Sequence, residues 1–198
     1  MSFFYIVNTR RIGGAPDYDC SKYSSSVAEF CNKSKVGIND IDYAIRYTLQ
    51  NESFDFGFLG SSETDEEFSQ GRDFYSFRVR KNFKDLNIGY LGTRTDRPVL
   101  VRNADVHSFD FTYVPNDKTR IDTIYAFSEV SQKNFLEKKG EIFRFKYVNS
   151  PSSRTYYDVF INFFDEASDI NDMGYQRTDD YFFIGAKRGF KTSQFDEY

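Results

Sequence analysis

The sequence predicts an all-β chain, an antiparallel up-and-down meander of about nine strands. Three observations predict it. Apolar and polar residues alternate with a period of two from Asn39 onward, the connections between the alternating runs are in turn short and long, and in most runs one parity is aromatic while the other carries charges of both signs. Antiparallel neighbours joined in this way collect tight turns at one end and longer loops at the other, an asymmetry shown by bacterial outer-membrane barrels. The expected architecture is therefore part of a transmembrane β-barrel, with the aromatic parity outward and the charged parity lining the lumen.

The first strand sets Ile41, Tyr43, Ile45, Tyr47 and Leu49 against Asp42, Ala44, Arg46, Thr48 and Gln50. After a turn at Asn51 and Glu52, Phe54, Phe56 and Phe58 oppose Ser53, Asp55 and Gly57. Tyr75, Phe77 and Val79 then oppose Ser76, Arg78 and Arg80, and Leu86, Ile88 and Tyr90 oppose Asn87 and Gly89. In the next run His107, Phe109, Phe111 and Tyr113 face away from Ser108, Asp110 and Thr112. TRIDTIYAF is less clean, because Ile124 and Val130 share the parity of Asp122. Phe143, Phe145 and Tyr147 oppose Arg144 and Lys146. Tyr157, Val159, Ile161 and Phe163 oppose Asp158 and Asn162, with Tyr156, Phe160 and Phe164 on the second face, and DDYFFIGAKRGF is ambiguous in parity. Short turns are expected near Asn51-Glu52, Asn82-Asp85, Pro115-Lys118 and Asn149-Arg154. The expected long loops are GSSETDEEFSQGRD, TRTDRPVLVRNA, VSQKNFLEKKG and DEASDINDMGYQR.

Residues 1–38 read as an N-terminal segment leading into the meander of residues 39–198. Cys20 and Cys31 bracket a Ser-rich stretch there, either as a loop disulfide of an oxidising compartment or as two thiols. The N-terminus lacks a basic start, apolar core and small-residue cleavage site, which suggests an internal piece of a longer exported protein. No run approaches the roughly 18 to 20 apolar residues of a spanning helix. Mean hydropathy of -0.62 does not count against a barrel, since only alternate residues face lipid. Aromatic residues make up 19% of the chain, 15 Tyr and 23 Phe, which suits strands and interfacial girdles. A net charge of -4 gives no basic footprint for nucleic acid.

The candidate lumen-lining residues are Arg46, Arg78, Arg80, Arg144, Lys146, Asp42, Asp110 and Asp158. They either attract anionic solutes through a pore or pair with one another and fill the lumen. No catalytic residue is assigned: the only histidine, His107, lies among aromatics without the flanking nucleophile and acid of a triad. The acids Asp165, Glu166, Asp169 and Asp172, and Glu63, Asp65, Glu66 and Glu67, read as solvated loops. They lack the ligand spacing of a calcium site, and no Cys/His cluster suggests zinc. No phosphate-binding fingerprint follows the glycines, so no cofactor is expected.

Three segments resemble a known family. FFYIVNTRRIGGAPDY resembles the start of the barrel in an uncharacterised bacterial outer-membrane family, a domain-of-unknown-function family usually found downstream of a family-nine-type carbohydrate-binding domain. QGRDFYSFRVRKNFKDLNIGYLGTRTDRP is similar to its strand, turn, strand and long loop, and DINDMGYQRTDDY to its late loop. The resemblance implies a location in the bacterial outer membrane, lipid as the surrounding partner, the remaining strands of the same barrel beyond Phe190, and no established activity. The domain that usually precedes the family extends the expectation to transport or surface binding of glycans. The terminal FDEY does not end in the Phe typical of barrel C-termini. The competing expectation is a soluble β-rich module binding a ligand or carbohydrate, with the aromatic parity buried.

Overall fold

The computed structural model describes residues 4–177 and 180–190, and the terminal FDEY lies outside them. A two-residue strand β1 (Phe4–Tyr5) opens the described chain. Helix α1 (Ser25–Lys33) follows, and it carries Cys31 into a disulfide with Cys20, their Cα atoms 5.7 Å apart. The meander then runs through β2 (Ile41–Gln50), β3 (Phe54–Glu63), β4 (Asp73–Asn82), β5 (Leu86–Arg97), β6 (Arg102–Asn116), β7 (Thr119–Gln132), β8 (Lys138–Ser152) and β9 (Thr155–Phe164). After β10 (Tyr175–Gln176), which pairs with β1, it ends in β11 (Tyr181–Phe190). Every strand from β3 to β9 pairs antiparallel with the one before it, and β11 pairs antiparallel with β9, giving one nine-stranded sheet.

The sheet is open: among the described residues β2 and β11 each have one neighbour. Every residue of β2 is exposed. Ten-residue strands such as β2 and β4 are about 34 Å long at about 3.4 Å per residue; a tilt near 45° would make them cross about 24 Å, the height of the apolar band in membrane barrels. No helix among the described residues is long and apolar enough to cross a membrane, which says nothing of a β-barrel.

The connections differ from the expected ones in one respect. The tight turns stand where the sequence places them, but two of the four long loops are largely strand. β5 runs to Arg97 and β6 starts at Arg102, and β7 and β8 are separated only by residues 133–137. Arg94 and Lys139, expected in loops, join a cross-strand ladder on the aromatic parity instead: Arg94 stands opposite Asp105, Asp105 opposite Glu129, and Glu129 opposite Lys139. The opposite charges of Arg94 with Asp105 and of Lys139 with Glu129 support pairing and offset the like charges of Asp105 and Glu129 facing each other, so β5 to β8 continue past the apolar zone.

Register fixes two faces. On one, Leu49, Phe56, Val79, Tyr90, Phe109, Tyr125, Phe143, Phe163 and Phe182 stand in a single row, one apolar or aromatic residue from each strand. No segment of the described chain packs over this row, and Phe109 is 49% and Phe182 67% exposed. The opposite face carries the row Gln50, Asp55, Arg80, Gly89, Asp110, Ile124, Arg144, Asn162 and Phe183. The core lies on this second face at the loop end, where Val106, Ala126, Ile142, Phe164 and Ile170 are buried with Ile6 packed against them.

Candidate functional site

The charged face divides in two. Its loop half presents small side chains, Ser61, Ser76, Thr93, Thr95, Ala104, Ser108 and Ser128, all buried. Small residues let backbone from elsewhere in the chain approach closely, and the N-terminal segment and the 165–177 loop occupy that space. A Cβ on Gly140 would meet the backbone nitrogen of Ser168 at 2.1 Å. The Asn8 amide donates to the Met173 carbonyl at 2.7 Å, and Arg11 Nε to the Gly174 carbonyl at 3.3 Å.

Ion pairs hold this filling in place. Asp172, its side chain 3% exposed, accepts from Arg97 Nη1 at 2.8 Å and from Arg102 Nη2 at 2.6 Å. Arg97 also reaches Asp17 in the N-terminal segment, and Arg102 reaches Asp169. Burial alone would raise the Asp172 carboxyl, but the hydrogen bonds from Arg102 and Arg97 outweigh it and hold the pKa below the ordinary carboxylate value. A second anchor is Glu63, whose buried carboxylate accepts from Arg72 Nε at 2.6 Å and from the Gly13 amide at 2.8 Å. Asp172 and Glu63 are therefore not solvated loop acids, as their sequence context suggests. Each is buried because protein donors replace its water, two arginines at Asp172 and one arginine with the Gly13 amide at Glu63.

The turn half of the same face is open. Here the sequence-expected residues fall into three groups. Arg78 is bonded to Asp110 across β5, passing over Gly89, where a Cβ would come within 2.6 Å of both side chains. Lys146 stands 3.5 Å from Asp158, and Arg144 Nε donates to Asn162 Oδ1 at 2.9 Å. Arg80 shares a row with Asp55 and Asp110. Arg46 and Asp42 stand apart on the exposed edge strand β2, where Asp42 accepts from Thr64 Oγ1 at 2.8 Å. Pairing across strands thus involves part of the set, and no single cluster gathers them all.

Two cavities lie on this half. One of about 540 Å³ borders Ile6, Val7, Arg78, Asp110 and Arg144, and one of about 370 Å³ is lined by Arg144, Lys146, Asp158, Phe160, Asn162 and Lys187 among others. Sequence reading did not single out Phe160, Phe183 or Lys187, and the only signal was the mixed parity of β9 and β11. It also passed over Arg72, which bonds Glu63 across the β3–β4 loop, and Asp17, Arg97 and Arg102, whose partners lie far away in the chain. His107 sits on the aromatic face, Nδ1 2.6 Å from the Tyr90 hydroxyl and stacked on Phe127. Among the described residues no group of three His, Cys, Asp or Glu side chains is arranged to hold a metal ion. No protein-family model and no curated protein matches the chain.

Proposed function

We propose that the chain is a stretch of a bacterial outer-membrane β-barrel whose aromatic face contacts lipid and whose charged face lines the lumen, serving transport or surface binding of glycans rather than catalysis. The observation that carries this reading is the row of apolar and aromatic residues running through all nine strands without cover, while the chain's own segments pack on the opposite, polar face. In water an apolar surface of that extent is an association hazard; in a bilayer it is the stable arrangement. The Arg94, Asp105, Glu129 and Lys139 ladder then lies beyond the hydrocarbon, where charges remain hydrated.

The exposed edges of β2 and β11 call for further strands of the same barrel, since lipid offers no partner to an unpaired strand edge. The resemblance of the N-terminal segment, the β4–β5 region and the late loop to the uncharacterised outer-membrane family supports the same reading. A non-catalytic role accords with His107 held among Tyr90 and Phe127, and with Asp169 and Asp172 bonded to arginines.

The test is fractionation of cells producing the full-length gene product, with gel mobility before and after heating as the sign of a folded barrel. Recovery in the outer membrane with a heat-dependent shift is expected. Recovery as a monomeric, heat-insensitive soluble protein would overturn the membrane reading and favour a soluble β-rich binding module.

A further inference from the structure

Strands β9 and β11 place aromatics on the charged face as well as on the other, and Phe183 is not buried there, unlike Phe74 of β4. Phe160 and Phe183 stack with centroids 5.4 Å apart and planes 22° off parallel, and Tyr181 continues the line, 6.1 Å from Phe183 and 8° off parallel. Phe183 is 42% exposed, so part of this ring surface is free. Lys187 Nζ lies 5.8 Å from the centre of the Phe160 ring.

Beside these rings is the cavity of about 370 Å³ whose lining includes Arg144, Lys146 and Lys187 as cations and Asp122 and Asp158 as anions. Asp122 is already engaged by Arg120 at 2.7 Å and by Thr112 Oγ1 at 2.9 Å, and Asp158 stands 3.5 Å from Lys146. Cations therefore outnumber anions around the cavity. Asp158 lines the cavity, and rotation of its carboxylate, whose Oδ1 is buried without a hydrogen-bond partner, would present that acceptor to a ligand hydroxyl.

We propose that this site binds a saccharide bearing carboxylates, its pyranose faces laid on Phe183 and Phe160, a hydroxyl donated to Asp158, and a carboxylate drawn to Arg144 and Lys187. Each part of the chemistry is needed. A small inorganic anion makes no use of the aligned rings, and an apolar ligand leaves the charges desolvated without partners. A sugar acid has an apolar face, hydroxyls and a charge together. The spacing of the rings along β9 and β11 also suits successive sugar rings of an extended chain. The proposal deepens the glycan part of the function above and rests on the charged face being open to solute; it does not require the membrane.

The experiment is calorimetric titration of the purified full-length protein, its fold verified by heat-modifiable mobility or circular dichroism. The probes are trigalacturonate, a neutral galactose trisaccharide and acetate. Trigalacturonate is expected to bind at least tenfold more tightly than the neutral sugar, with acetate alone not binding measurably. Phe183→Ala should weaken trigalacturonate about fivefold to tenfold. Lys187→Gln should narrow the preference over the neutral sugar, and Phe182→Ala, on the opposite face of the same strand, should change nothing. Equal affinity for the charged and neutral sugars, no binding of either, or binding indifferent to both Phe183→Ala and Lys187→Gln would overturn the proposal. A soluble protein that shows the expected preference would sink the membrane reading and leave this site standing; a membrane barrel that binds neither sugar would do the reverse.

Discussion

The ion cluster at the loop end of the charged face makes a sharp prediction for Asp172→Asn. The substitution keeps shape and an acceptor oxygen but removes the charge that Arg97 and Arg102 share. Removing one partner of a buried ion pair costs about 3–5 kcal/mol. The lower end applies here, because Arg97 keeps Asp17 and Arg102 keeps Asp169. About 3 kcal/mol corresponds to roughly a hundredfold rise in local opening. The segment released is the 165–177 loop with the N-terminal strand attached to it, so hydrogen exchange is the assay. The amides of Asn8 and Gly174, which donate to Met173 and Ile170, should lose about a hundredfold in protection. Amides between β6 and β7 should keep theirs. Unchanged exchange at Asn8 and Gly174 would refute the view that this cluster holds the filling.

The same group gives a pH dependence whose sign follows from its depressed pKa. The contribution of Asp172 is complete above the unfolded carboxyl value of about 3.9 and is lost as pH falls through the lower folded value. Wild-type protection of the loop should therefore decline below about pH 4, and Asp172→Asn should show little of that decline. Gly140→Ala should displace the 165–177 loop, since the new Cβ meets the Ser168 backbone at 2.1 Å, and limited proteolysis should cut that loop faster. Gly89→Ala should be milder, about 1 kcal/mol by denaturant titration, because its Cβ meets only the side-chain ends of Arg78 and Asp110, which can separate. Phe109→Arg should cost about 2–4 kcal/mol in bilayers, read as a lower unfolding midpoint. A cost near zero would mean that the aromatic row does not contact hydrocarbon.

Much of the sheet was legible because period two leaves so few choices. Once Ile41 to Leu49 share a face and turn residues follow, the next run must fold back, and the nine strands come out in chain order. Less legible was where β5 to β8 end: Arg94 and Lys139 read as loop residues, and their ladder with Asp105 and Glu129 emerges only when the strands are paired. The anchoring arginines were invisible for a different reason. Asp17 meets Arg97, and Asp172 meets Arg102, across separations of dozens of residues that no local pattern encodes. Helix α1 hid in a short Ser-rich segment whose helical period is too brief to stand out.

The exceptions to alternation carry the most information about the site. Val106, Ala126, Val130, Ile142 and Phe164 are apolar on the face that is otherwise charged, and all are buried at its loop half. Phe160 and Phe183 break the same rule nearer its turn half, yet Phe183 stays open to solvent, whereas Tyr181, opposite Phe164, packs against the core. An apolar residue on a polar face either packs against something in the chain or waits for something outside it. The first group is accounted for by the N-terminal segment and the 165–177 loop. The second is not covered by the described chain, and its rings stand beside a surplus of cations. That contrast within one face separates the structural filling from the surface proposed to bind a saccharide, and it is the reason the proposal looks to β9 and β11 rather than to Arg46 and Asp42 on the far edge.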